Sequence, residues 1–524
     1  MRGQGSFLER AVAAGSARVA LVALALVAFA ISLWISIARN LDLPWTSIRL
    51  APAFALARGL PLFSMPQQPP WVMVGYGPFY PVAYLPCVWA RHPTEAVVTA
   101  TLLAHFYVLL PVGLIFSLLR KPVASSAGGP SLPGAWALPL LLFALIAHLV
   151  PSLAYATTGV HADAPAFGLL LFACYAILRG ESGRGSAVRG WLIGAGAAAG
   201  LAAACKMNFA AGAVALCLWT LRFSGWKRAA EFMGAALLAA AGAYIVDGLH
   251  DGFAPMLLNL GQPGRMPWFT FSDTETMALS GVTHEFPEKV RTFLTFARDY
   301  LKAYGAVALA VAILSFARRK KEDASPIDRL VWFFLFLSLI LAPVSIASIS
   351  KYGGDVNSRA LVSLPLTLAA LFAMAAAAER GNLVAKAATY AALAGATFMI
   401  ALPVKDDCVR LWPKKTPTLV EAYAVLSADP ARWYFPYDPL AHLLADGKFR
   451  PNMDVIYSYA LIGLPVEESV FRSALPENLR YIALPPSGTE WGISELRRLL
   501  PEYLHPAPEL NFQRHRVYGM AAAP

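Results

Sequence analysis

The stretch Val19–Ile37, VALVALALVAFAISLWISI, carries no charge, and Ala38-Arg39-Asn40-Leu41-Asp42 follows at once. Crossing ~30 Å of hydrocarbon takes about 20 apolar residues in a helix. The stretch has no small-residue cleavage site and is long for a signal-peptide core, so it reads as a retained span behind a basic, small-residue-rich start. Runs of the same character recur at about 95–119, 134–157, 164–178, 190–204, 208–221, 229–246, 303–317, 330–349, 360–378 and 385–403. The whole 524-residue chain is 57% apolar and only 14% charged, with a mean hydropathy of +0.54. Soluble chains carry roughly 25% charged residues. A soluble enzyme, a disordered chain and a disulfide-knit secreted module are thereby excluded, and a polytopic all-α membrane bundle is expected.

The net charge of +11, from 43 Lys and Arg against 32 Asp and Glu, is not a nucleic-acid footprint. The basic residues fall in short clusters between apolar runs: Arg120-Lys121, Arg179 to Arg189, Arg222 to Arg228 and Arg318 to Lys321. That is the charge bias that orients spans, with the basic loops cytoplasmic. No basic stripe interleaved with aromatics appears, so no nucleic-acid partner is expected. The five cysteines (Cys87, Cys174, Cys205, Cys217, Cys408) show no metal or redox spacing.

The basic loops at 120–133, 179–189, 222–228, 318–329 and 379–386 fall on one side only if Tyr76 to Trp89, with Pro78, Pro81 and Pro86, is not a full span. The expected topology is about eleven spans with the N-terminus inside and the C-terminus outside. The outer face then receives the loop 39–94, the turn 155–163, the loop 248–300 and the turn 350–359. It also receives the tail 404–524, whose turn residues and short alternating segments predict a small α/β domain beside a membrane domain over 1–403. No internal repeat is visible, which speaks against transporters built from paired halves.

Ionisable residues at membrane depth are costly and are functional candidates by default. Here they gather at outer span ends. Asp42 reads as an interfacial carboxylate beside Arg39 or Arg49, or as a functional one. Asp163, in His161-Ala162-Asp163-Ala164-Pro165, either caps the next helix or does chemistry. Lys206 interrupts the apolar stretch Ala202 to Ala213, where it snorkels or offers a point charge to a phosphate. In Ser350-Lys351-Tyr352-Gly353-Gly354-Asp355-Val356-Asn357-Ser358-Arg359, two cations flank a Gly-Gly turn with Asp355 and Asn357 as hydrogen-bonding groups. An enzyme using a lipid-phosphate donor needs cations for the phosphate and a carboxylate near the acceptor hydroxyl, all on one face. No Walker loop, HExxH or GxSxG elbow is present. The long outer loop adds Arg265, Asp273, Glu275, His284 and Glu285, while Trp268, Phe269 and Phe271 read as an interfacial belt.

These stretches together resemble the GT-C glycosyltransferases, membrane enzymes that use polyprenyl-phosphate sugars. The likeness is greatest to the branch of the lipid A aminoarabinose transferases and protein O-mannosyltransferases. Asp42 after the first span, Ala55-Leu56-Ala57-Arg58-Gly59-Leu60-Pro61-Leu62-Phe63, Gly75-Tyr76-Gly77-Pro78-Phe79-Tyr80, His161-Ala162-Asp163, Cys205-Lys206-Met207-Asn208 and the Lys351 to Arg359 turn carry the resemblance. It covers about 1–405 in layout and the tail more loosely.

The resemblance implies a GT-C fold and an inverting transfer of a sugar from a polyprenyl-phosphate donor to a lipid, glycan or protein acceptor. Asp42 would be the base and Asp163 the acidic residue that positions the acceptor. Lys206, Lys351 and Arg359 would hold the donor phosphate, with Arg58, Tyr76, His161, Asp355 and Asn357 lining the pocket. The place would be a bacterial inner membrane, with membrane lipids as surroundings and the C-terminal domain periplasmic. Asp42-Leu43 stands where many relatives have Asp-Glu, and the second loop holds a single aspartate. A metal-independent enzyme is therefore expected, with a divalent cation through Asp42 or Asp163 as the alternative. The competing function is a transporter or a flippase of lipid-linked sugars.

Overall fold

The computed structural model describes residues 7–73, 75–119, 134–181, 186–316, 326–379, 387–400, 416–485, 492–503, 505–506, 512 and 514–520. The clusters Arg120-Lys121 and Arg318 to Lys321, most of the loop 379–386, Cys408 and the stretch 404–415 lie outside them. Among the described residues, eight helices are long and apolar enough to cross a membrane. They are α1 (Phe7–Asp42), α4 (Pro93–Ser117), α7 (Asp163–Glu181), α8 (Ser186–Cys205), α9 (Ala210–Ser224) with the 3-10 turn Met207–Phe209 that leads into it, α10 (Trp226–Asp251), α13 (Pro326–Ser350) and α14 (Ala360–Glu379). The protein is a multi-pass helical membrane bundle.

All eleven expected runs appear as helices, and three of them take a form other than one straight span. The run 134–157 is two helices, α5 (Gly134–Leu149) and α6 (Pro151–Thr158), bent by 101° at the join. Pro151 opens α6, and proline has no N–H to continue the ladder of α5. This pair makes a ninth crossing if taken as one broken span. The run 303–317 is the apolar second half of the long helix α12 (Phe286–Phe316), whose first half is charged. The last run appears as α15 (Ala387–Ile400), 14 residues long where described. Tyr76 to Trp89 is not a span: it holds the short α3 (Phe79–Ala83) and a 3-10 turn at Leu85–Trp89.

Packing follows composition. On α8, Gly196 and Gly200 lie one turn apart, and a Cβ on either would sit 2.2 and 2.1 Å from the carbonyl oxygens of Phe232 and Ala236 on α10. The missing side chains let the two backbones touch, the usual way helices associate in lipid. The opposite face of α10 exposes Leu237, Leu238, Val246 and Leu249, as a lipid-facing surface does.

The loop 39–94 is built of regular elements. It contains α2 (Pro44–Ala57), which is buried along most of its length. The loop 248–300 holds α11 (Phe253–Arg265) and an antiparallel hairpin, β1 (Trp268–Asp273) with β2 (Ala278–Thr283). Phe271 of this hairpin packs with Phe296, Tyr300 and Ile349 on α12 and α13, so the expected belt of aromatics is in part a small core of its own.

The tail is α/β as expected. A four-stranded sheet runs β3 (Trp433–Tyr434), β4 (Tyr481–Leu484), β6 (Arg516–Gly519), β5 (His505–Pro506) in spatial order. β3 and β4 are parallel, which requires a crossover. The helices α17 (Pro439–Ala445), α18 (Met453–Leu461) and α19 (Glu468–Ser473) supply it, with α16 (Thr418–Ala428) before the sheet and α20 (Ile493–Leu499) after β4. The tail is not loosely tethered. Leu419, Ala422, Leu426 and Leu440 belong to the same buried cluster as Phe143, Phe167 and Phe372 of the spans. Ile48 and Trp71 of the first loop sit in the tail's own core with Tyr434, Tyr459 and Phe471.

Candidate active site

Asp163 opens α7, and the chain before it is held rigidly. The Tyr84 hydroxyl donates to the His161 carbonyl at 3.0 Å, and the Asn40 amide donates to the Thr158 carbonyl at 3.1 Å. With those carbonyls satisfied, the 159–162 turn can stay buried. The Asp163 side chain, 3% exposed, meets three nitrogens: Lys206 Nζ at 2.8 Å, Asn357 Nδ2 at 2.5 Å and His161 Nδ1 at 2.7 Å. The donors come from the turn after α8, the turn before α14 and the loop before α7, so three span ends are tied at one carboxylate.

The histidine's tautomer follows. The Asp163 amide also points at Nδ1, at 3.3 Å, but the carboxylate oxygen at 2.7 Å is the closer and charged partner and would repel a lone pair there, so Nδ1 carries the proton and Nε2 is the acceptor. Nε2 lies 3.1 Å from the Tyr76 hydroxyl, which therefore donates to it. Burial holds the His161 imidazole below the ordinary histidine range, with Lys206 and Arg49 acting in the same direction against the raising effect of Asp163.

Tyr76 reaches this position because Gly77 lies against the end of α8. The Gly77 amide donates to the Cys205 carbonyl at 3.0 Å, and a Cβ there would sit 1.9 Å from the Ala204 oxygen. Only glycine fits. The Arg49 guanidinium stacks 4.5 Å from the Tyr76 ring centre and pairs with Asp454 of α18 at 2.7 Å. Burial pushes the Tyr76 phenol up to about 12, against the lowering effect of Arg49. Lys351 follows α13 and is bridged to Trp268 of the hairpin. Burial and the nearby Lys206 lower its ammonium to about 8. Among the described residues, no carboxylate pairs with Lys351.

Asp163, Lys206, His161, Tyr76 and Asn357 are thus brought together, with Lys351 near enough for the charge of Lys206 to act on it. The other expected residues are committed elsewhere. Asp42 accepts from the Thr418 amide at 3.2 Å and pairs with Arg514 at 3.0 Å. It caps α16 and pins the tail, since a carboxylate at a helix N-terminus satisfies its free N–H groups. Arg58 is exposed and donates to the Leu443 carbonyl at 2.8 Å, at the C-terminal end of α17 where backbone carbonyls are free. Arg359 pairs with Asp299 of α12 at 2.8 Å and lies over the Tyr300 ring. Asp355 is exposed and caps its own 3-10 turn through the Val356 amide.

The residues do not fit a metal. Both Asp163 oxygens are taken by nitrogen donors, Asp42 is taken by the tail, and no group of three or more metal-ligating side chains occurs among the described residues. Asn40, Tyr84 and Asp454 belong to the site's support and were not singled out in the sequence. Their partners lie 118, 77 and 405 residues away, and no local pattern marks them.

No protein-family model matches the chain, and no curated protein matches it at a significant level. Among solved structures, the archaeal oligosaccharyltransferase AglB from Archaeoglobus fulgidus, in complex with an inhibitory peptide and a dolichol-phosphate, is similar at 13% identity and a TM-score of 0.38. The match covers 95% of this chain and 74% of that one.

Proposed function

We propose that the chain is an inverting GT-C-type glycosyltransferase, moving a sugar from a polyprenyl-phosphate carrier to a lipid, glycan or protein acceptor. The reaction would take place at the periplasmic face of a bacterial inner membrane, and 404–524 would be a periplasmic domain. The observation that carries the reading is the pairing of two lysines at span ends, Lys206 locked to a buried aspartate and Lys351 near enough for its charge to act on it and without a carboxylate partner. A half-buried cation without a carboxylate partner calls for an anion, and the anion available where spans end is a lipid phosphate. When the glycosidic bond breaks, negative charge grows on the phosphate oxygen, and fixed cations at that point stabilise it more than they stabilise the bound donor. Asp163 and Asn357 hold Lys206 in place for that role. Arg49, stacked on Tyr76, adds positive potential nearby. The motifs named above, in their order along the chain, support the same reading.

The test is carrier release. Polyprenyl-phosphate sugars are incubated as a panel with the detergent-purified protein and a membrane-lipid extract, and free polyprenyl phosphate is followed by mass spectrometry. Release from one donor by the wild type, lost in Lys206→Ala, is the expected result. Transport of a lipid-linked sugar across proteoliposomes without consumption of any donor would establish a flippase instead.

A further inference from the structure

Asp163, His161 and Tyr76 form a chain of hydrogen bonds that runs from the buried carboxylate to a phenolic hydroxyl: 2.7 Å from Asp163 Oδ2 to His161 Nδ1, then 3.1 Å from His161 Nε2 to Tyr76 Oη. The direction is fixed by the tautomer derived above, with each step donating toward Asp163. The last member is half-buried, and its ring is clamped between Arg49 and Tyr80. Asp42, the carboxylate expected to act as base, is occupied by Arg514 and Thr418. We propose that Tyr76 is the group that receives the acceptor's proton, and that His161, oriented by Asp163, is where that proton comes to rest. This rests on the transferase reading.

The acceptor O–H bond breaks, and its oxygen forms a bond to the sugar's anomeric carbon. The bond from that carbon to the carrier phosphate breaks, and the phosphate leaves as an anion facing Lys206 and Lys351. The acceptor proton passes to the Tyr76 oxygen while the Tyr76 proton passes to His161 Nε2, so the phenol is never left as a free phenolate. The imidazolium produced is stabilised by the Asp163 carboxylate, the arrangement that makes a buried histidine serviceable as a base. A neutral His161 and a protonated Tyr76 at rest are what the scheme requires, and burial favours both. The charged groups that face the relay are Arg49 of α2, Lys206 after α8, Asp355 before α14 and Asp454 of α18.

Two variants of the full-length protein test this, each measured for carrier-phosphate affinity and for turnover on the donor the wild type consumes. Tyr76→Phe keeps the ring that Arg49 and Tyr80 pack on and removes only the hydroxyl. Its turnover should fall by about 10²- to 10⁴-fold, the contribution of a positioned acid–base group, with carrier affinity unchanged. His161→Gln keeps an acceptor for the Tyr76 hydroxyl and a donor for Asp163 but cannot take a proton. It should lose as much turnover as Tyr76→Phe, and the double variant should lose little more, because residues acting as a unit are not additive. If Gln at 161 restores turnover, His161 is merely structural and the relay is wrong. It is equally overturned if Tyr76→Phe turns over at the wild-type rate, or if Asp42→Asn stops turnover with the tail still docked. A wild type that consumes no donor overturns the transferase reading and the relay together, whereas an active wild type with an equally active Tyr76→Phe overturns the relay alone.

Discussion

Asp42 and Asp163 are both single aspartates at the ends of apolar runs, and in the sequence they look alike. In the structure their neighbourhoods are opposites. The Asp163 side chain is 3% exposed and bound by three nitrogens from three span ends, while that of Asp42 is 25% exposed and bound by an arginine and an amide from the tail. One is the hub of a buried polar cluster and the other a fastening for a surface-docked segment. A buried ion pair is costly to break, because the partner left behind is an uncompensated charge. An exposed pair is worth little, because water and salt replace it.

That contrast is most open to attack at Lys206. Lys206→Ala should destabilise the protein by about 3–5 kcal/mol, the cost of orphaning a buried charge, and should abolish carrier release. Adding Asp163→Asn to it should restore part of the stability but none of the activity. A single variant of wild-type stability would show that the pair is solvated and would erase the difference from Asp42.

Lys351→Met probes the same site without breaking a pair. It should weaken binding of polyprenyl phosphate by roughly 10- to 100-fold, since hydrogen bonds to charged groups contribute about 1.5–3 kcal/mol, and should leave the melting temperature in place. The wild type should show the matching pH effect. Lys351 is lowered to about 8, so it loses its charge, and carrier affinity falls, as pH rises through that value. Binding that stays flat up to pH 10 would remove Lys351 from the phosphate site.

The tail side has its own pH signature. His515 is buried between Glu421, at 2.7 Å, and Asp438, at 3.5 Å. Burial opposes its charge, but the two carboxylates win and raise it above the ordinary histidine value. A group raised in the folded state stabilises below its unfolded value near 6.5 and loses that contribution as pH rises through the folded one. The tail's own fold around α16, followed by limited proteolysis near residue 416, should therefore weaken as pH rises through that raised value, and His515→Gln should flatten the dependence. The smallest effect belongs to Arg514→Ala. Breaking its pair with Asp42 should cost about 0–1 kcal/mol, and a loss of several kcal/mol would mean that Asp42 is a second hub after all.

The bundle was legible because span length and charge bias are local properties. So was the membership of Asp163, Lys206, His161, Tyr76 and Asn357 in one site, since each lies at the end of an apolar run or in the short turn or outer loop beside one, on the side the topology had already joined. The ion pair of Arg359, the expected phosphate ligand, was not legible, because its partner Asp299 stands on α12, 60 residues earlier, at a place with no motif. The break between α5 and α6 was missed although Pro151 was in plain view, because an apolar count over 134–157 ignores backbone N–H groups. The contact of Arg58 with the Leu443 carbonyl of α17 was not legible, because no side-chain pattern announces a main-chain acceptor.

Hydrophobic length and the sidedness of lysine and arginine, both summed along the chain, determined by themselves that this protein crosses a membrane many times and gathers its charged turns on one face. Only the tertiary structure decided which carboxylate is the hub. That depends on nitrogens delivered from positions 43 and 194 residues apart in sequence from Asp163. Electrostatic energy at a buried site is set by distance and dielectric, and neither is a property of neighbouring residues in the chain.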